Sequence, residues 1–174
     1  MRILFLDIDG VLNHYSTYYA FRDDIGCASP HLLHTGKNPG LDPIAVKLLQ
    51  NVVNKYEFQI VLSSTWRIGY TDEEIINHWK VGMSMYYGWT NPLMPIIGST
   101  PDLCAQQDSG IWVSKTRGQE IQHFIDNYEK EITDYVIIDD DGDMLVEQIP
   151  HFYQTNVRHG LNYAFVDWIE DRYS

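Results

Sequence analysis

The apolar run Ile3-Leu4-Phe5-Leu6 has no polar interruption and stops abruptly at Asp7-Ile8-Asp9-Gly10. A continuous run of this length reads as a strand over residues 2–7, buried on both faces as in a parallel sheet. Residues 13–40 then lose all periodicity and are read as a long loop or small insertion. Asp42-Pro43 marks a helix start, with an acidic cap and proline in the first turn. The stripe Ile44, Leu48, Leu49, Val52, Val53 and Tyr56 follows at helical spacing. Phe58–Leu62 reads as the second strand, and Thr71-Asp72-Glu73-Glu74 as a capping box opening a short helix to about Lys80.

Residues 82–113 are irregular, apart from a candidate third strand at Leu93–Gly98, whose Pro95 predicts an edge position. Thr116-Arg117-Gly118-Gln119 is a second capping box, opening a helix with Ile121, Phe124, Ile125 and Tyr128 on its inner face. Tyr135–Ile138 is the fourth strand and runs straight into Asp139-Asp140-Asp141-Gly142-Asp143. Phe152–Thr155 is a candidate fifth strand. Asn162 caps a last helix with Phe165, Trp168 and Ile169 inward. Strands alternating with helices predict a doubly wound, mainly parallel, Rossmann-like α/β sheet. The 174 residues are read as one domain, with insertions at about 13–40 and 82–92 and no large cap.

Charge narrows the function classes. A formal net charge of −12 argues against an extended basic nucleic-acid surface, but not against a small anion held by a metal and local cations. Cys27 and Cys104 do not suggest a disulfide framework. The amino-terminal apolar stretch is too short and too acidic for a signal peptide, and no run reaches membrane-spanning length. A cytoplasmic protein without membrane association is the expectation.

Three predicted strands end in polar groups: Asp7 and Asp9, then Ser63-Ser64-Thr65-Trp66-Arg67, then the acidic run from Asp139. In a parallel sheet these ends share one edge, where ligands bind. Neighbouring carboxylates repel and call for a cation, most simply Mg²⁺, which takes carboxylate, water and phosphate oxygens. A carboxylate nucleophile, hydroxyl donors, a basic group and metal-binding acids together form a phosphoryl-transfer set. A serine-hydrolase reading of Ser63-Ser64 fails because the Gly-x-Ser-x-Gly elbow is absent.

These motifs resemble those of the haloacid dehalogenase (HAD) superfamily of phosphatases. Asp7-Ile8-Asp9-Gly10-Val11-Leu12 is similar to the first family motif, Ile60-Val61-Leu62-Ser63 to the second, and Val136-Ile137-Ile138-Asp139-Asp140 to the fourth. Ser63–Arg67, Ile97–Pro101, Arg117–Ile121 and His159–Asn162 further resemble a small-cap branch that includes phosphatase domains associated with RNA repair. The resemblance implies that Asp7 attacks phosphorus and forms an aspartyl-phosphate. Asp9 would act as acid and then base, its backbone carbonyl also holding Mg²⁺. Ser63 would bind a phosphoryl oxygen. Asp139 would ligate Mg²⁺, and Asp140 or Asp143 would hold its water shell. The third motif needs a cation, for which both Lys115 and Arg117 are candidates.

Ser64, Arg67 and Asn13 are further candidate substrate contacts; a surface role for Arg67 and a turn-supporting role for Asn13 are the alternatives. His14, His31, His34 and His159 lack metal-ligand spacing and read as surface or loop residues. The expected activity is a Mg²⁺-dependent phosphomonoesterase acting on a nucleotide, a nucleic-acid end or another phosphorylated small molecule. A small-metabolite phosphatase and a non-catalytic binding module of the same fold are the rivals.

Overall fold

The computed structural model describes residues 1–17, 41–68, 71, 73–74, 77, 94–106 and 112–174. Five parallel strands form the central sheet: β1 (Arg2–Leu6), β2 (Phe58–Leu62), β3 (Ile96–Ser99), β6 (Asp134–Asp139) and β7 (Phe152–Gln154). Their spatial order is β3-β2-β1-β6-β7. The chain therefore winds outward from β1 in both directions, and the point of reversal lies between β1 and β6. Ligands bind beyond the carboxyl ends at such a point.

Strand β1 is apolar throughout because both faces are covered. Leu4 and Leu6 pack with Ile60, Leu62, Val136 and Ile138 against α1 (Pro43–Tyr56) and α3 (Tyr163–Tyr173). Ile3 and Phe5 pack with Val61 and Ile137 against Ile121 of α2 (Arg117–Asn127). Phe5 meets Phe124 edge to face, with ring centroids 5.6 Å apart.

The helix starts follow their sequence signals. Asp42 accepts from the Ile44 amide, Thr116 and Gln119 close a reciprocal capping box, and Asn162 accepts from the Ala164 amide. Thr71 and Glu74 also make their capping-box bonds. The third strand occupies the sheet edge, as its proline predicts, but runs from Ile96 to Ser99. The fifth strand forms beside β6.

Other expectations are corrected. Ile44 does not join the buried stripe and is 68% exposed. The buried face of α1 is centred on Ala45, Val46, Leu49, Val52 and Val53, which leaves Ile44 at the solvent edge of the first turn. The stretch read as irregular holds a two-stranded antiparallel ribbon, β4 (Ala105–Gln106) with β5 (Trp112–Val113). Two 3₁₀ turns, Thr65–Arg67 and Val146–His151, also went unpredicted; they are too short to carry a periodic signal. Most of the 13–40 insertion and all of 82–92 lie outside the described residues, as do the loop aromatics Tyr18, Tyr19, Tyr86, Tyr87 and Trp89, which the sequence offers as leaving-group contacts, and Cys27, His31 and His34. Among the described residues no helix is long and apolar enough to cross a membrane.

Candidate active site

Asp7 is the first residue beyond β1, and its amide donates to Ile138 of β6 at 3.0 Å. Asp139 is the last residue of β6. The two buried carboxylates thus flank the point of reversal. One oxygen each from Asp7, Asp139 and Asp140 lie within 4.8 Å of one another. Burial first, then the charge of Asp139, pushes the Asp7 carboxyl well above the usual carboxylate range; Arg117, Ser64 and the Ile8 backbone pull partly back. Burial also pushes Asp139 up to about 6, with Asp140 and Asp141 adding repulsion, while the Asp141 amide and Arg117 oppose it. Asp140 is raised by burial and then by Asp141 and Asp9.

The loop after β1 is built around Asp9. Amides of Val11, Leu12 and Asn13 all donate to the Ile8 carbonyl. Gly10 has φ of +71°, and a Cβ there would meet the Asp140 carboxyl carbon at 2.4 Å, so both conformation and space demand glycine. The Asp9 carboxylate accepts from Asn13 Nδ2 at 2.7 Å and from Trp66 Nε1 at 3.0 Å. It is not one of the three clustered carboxylates. Asn13 also accepts from the Gly10 amide. Both ends of its amide bond within the loop, the turn-supporting arrangement of Asn13.

At the end of β2, Ser63 and Ser64 are fully buried. Ser64 caps the 3₁₀ turn, its hydroxyl accepting from the Trp66 amide. Arg67 is not on the surface, and both of its Nη nitrogens are engaged within the protein. Its Nη1 donates to the carbonyls of Ser63 and Ser64, and its Nη2 is paired with buried Glu120. Glu120 also faces Arg117 Nη1 at 3.6 Å and accepts from the Leu103 amide.

The two candidate third-motif cations are placed differently. Arg117 Nε lies 3.3 Å from Asp139 Oδ2, whereas Lys115 is exposed in an outer groove with Leu103, Gln119 and His123. Asp143 is exposed and outside the carboxylate cluster. It caps α2 by accepting from the Arg117 amide at 2.9 Å, tying that helix to the acidic loop. Of the described histidines, His14 is buried, bonded to Asp42 at 2.8 Å, and so is not a surface residue; His159 is exposed.

Among the described residues, five buried side-chain atoms have no hydrogen-bond partner: Ser63 Oγ, Thr100 Oγ1, Arg67 Nε, Arg117 Nε and Asp139 Oδ2. All belong to residues at or beside the carboxyl edge of the sheet. Orphaned buried groups are costly, and clustering marks a ligand site. The orphaned carboxylate oxygen suits a cation, and the hydroxyls and Arg117 suit an anion. An octahedral Mg²⁺ holds opposite oxygens about 4.1 Å apart at its usual bond lengths, so small shifts of Asp7, Asp139 and Asp140 would accommodate it.

Sequence reasoning missed Glu120, Trp66 and Thr100. Each stands inside a quoted motif segment, and a glutamate three residues after Arg117 is a helical-pair signal. No curated protein and no solved structure matches the chain. A family model described as the HAD domain in Swiss Army Knife RNA repair proteins matches residues 3–166. The α/β sheet, the strand-end carboxylates and this match over nearly the whole chain lead to one conclusion: the chain belongs to that HAD family.

Proposed function

We propose that the protein is a Mg²⁺-dependent phosphomonoesterase working through an aspartyl-phosphate on Asp7. The carrying observation is the convergence of Asp7, Asp139 and Asp140 beside unpartnered Ser63 and Arg117 donors. Asp7, Asp139, Asp140 and the Asp9 carbonyl would hold Mg²⁺, which offsets the repulsion between the attacking carboxylate and the phosphate when bound. A carboxylate oxygen of Asp7 forms a bond to phosphorus as the bond to the leaving oxygen breaks. Asp9, steered by Asn13 and Trp66, gives that oxygen a proton. Asp9 then takes a proton from water, whose oxygen attacks phosphorus and releases Asp7 and inorganic phosphate. Ser63 and Arg117 hold the charge developing on the phosphoryl oxygens.

The family's association with RNA repair supports a nucleic-acid or nucleotide phosphate as substrate. The net charge of −12 favours a short substrate or a terminus over a long polyanion. The test is Mg²⁺-dependent hydrolysis of p-nitrophenyl phosphate, 5′- and 3′-phosphorylated oligonucleotides, nucleotides and sugar phosphates. Asp7→Asn should fold and lose at least about three orders of magnitude in turnover. Near-normal turnover in that variant removes the mechanism, and preference for sugar phosphates moves the substrate to small metabolites.

A further inference from the structure

The site is a row that runs across four strands. Asp7 donates its amide to Ile138, Ser63 to Leu6 at 2.9 Å, and Thr100 to Leu62 at 2.9 Å. The pairings Leu6↔Ile138, Leu6↔Leu62 and Leu62↔Ser99 set the register. One step further, Asp139, Asp7, Ser63 and Thr100 therefore stand abreast on β6, β1, β2 and β3. Residues abreast on parallel strands present side chains to the same face. Two positions back, Ile137, Phe5 and Val61 face the core beneath α2, and Gly98 holds the matching place in β3. The row thus emerges on the α2 side, where Arg117 stands.

Thr100 is 3% exposed, and its Oγ1 has no hydrogen-bond partner. Ser63 Oγ, its neighbour in the row, is in the same state. Two adjacent buried hydroxyls without partners point to one shared acceptor. Neighbouring strands lie about 4.8 Å apart, so both hydroxyls reach a single oxygen between them at ordinary bond lengths of about 2.7–2.8 Å. The carboxylate cluster lies at the opposite end of the row, on the Asp7–Asp139 side.

We infer that Thr100 is a substrate-contacting residue: with Ser63 it grips the phosphoryl oxygen turned away from the carboxylate cluster. This rests on the phosphatase reading above. Edge strand β3 thereby takes part in the chemistry, and Thr100 sets the outer wall of the phosphate cradle. Arg117 supplies charge to the same anion, while the two hydroxyls supply direction.

The experiment compares wild type, Thr100→Val and Thr100→Ser in three readouts with Mg²⁺ present: melting temperature, kcat/KM on p-nitrophenyl phosphate, and binding of inorganic phosphate by calorimetry. Valine keeps the shape and removes a hydroxyl that bonds nothing in the protein, so the fold should be as stable as wild type. kcat/KM and phosphate affinity should both fall about ten- to a hundredfold, as for a lost hydrogen bond to a charged group. Thr100→Ser should stay within about threefold of wild type. Wild-type phosphate affinity in Thr100→Val overturns the proposal, whatever happens to its melting temperature. A wild type that hydrolyses no ester, yet binds phosphate in a Thr100-dependent way, retains the clamp and removes the phosphatase reading.

Discussion

Arg117 Nε stands 3.3 Å from Asp139 Oδ2, yet neither atom has a hydrogen-bond partner. The two groups attract by charge without the alignment of a bond, so Arg117 Nε keeps a donor for an incoming anion. Arg117→Ala should lower kcat/KM for a phosphomonoester about 10²- to 10³-fold, as for removal of one preorganised charge-stabilising donor. Lys115→Ala, on the outer face, should change it less than about threefold. Steady-state kinetics on both variants checks this, and the reverse ranking moves the third motif to Lys115.

Metal-free stability should depend on pH in a defined direction. Burial raises Asp7, and takes Asp139 to about 6, so the folded protein binds protons where the unfolded chain has released them. Their contribution is fully present below the unfolded carboxylate value of about 4 and is lost as pH rises through the folded values. In EDTA, the melting temperature should fall between about pH 5 and about pH 8. Asp134 and Asp42 shift downward and act mainly at lower pH, outside that window. Mg²⁺ should raise the melting temperature more at about pH 8 than at about pH 5.5. Differential scanning fluorimetry reads both effects, and Asp139→Asn should flatten the slope.

Trp66 donates to Asp9, the proposed proton donor, at 3.0 Å. Trp66→Phe keeps the ring and removes the donor. Turnover should fall by about tenfold on an alkyl phosphate, whose leaving oxygen needs a proton, and much less on an aryl phosphate. Equal losses on both would place Trp66 outside proton transfer.

Glu120 is buried between Arg67 and Arg117. Glu120→Gln leaves two guanidinium groups without their shared counter-charge. Breaking a buried pair in this way costs about 3–5 kcal/mol, measurable by urea unfolding. A loss below about 1 kcal/mol would mean that solvent or a neighbour compensates.

The sequence was most legible where local chemistry decides. The Asp42, Thr116 and Asn162 caps, the inner face of α2 and the strand-end position of Asp7 and Asp139 depend on a few adjacent residues. What escaped it depends on partners far along the chain. Arg67 reads as a surface cation until Glu120, 53 residues on, is placed beside it. His14 reads as a loop residue until Asp42 meets it, and Thr100 means nothing until the register sets it beside Ser63. Lys115 precedes the extended Thr116 cap and Arg117 opens α2, so which of them meets the carboxylates depends on how that helix start docks.

Gly118 carries one further consequence. A Cβ there would meet the Leu145 amide nitrogen at 2.5 Å and Met144 Cα at 2.9 Å. The first turn of α2 therefore sits backbone against backbone on the segment leaving β6. Arg117 and the acidic loop are two ends of one rigid piece, and the gap between them is a steric dimension. Backbone contact sets it alongside the bond from the Arg117 amide to Asp143. The cleft should therefore keep its width in high salt, where its affinity for ions falls.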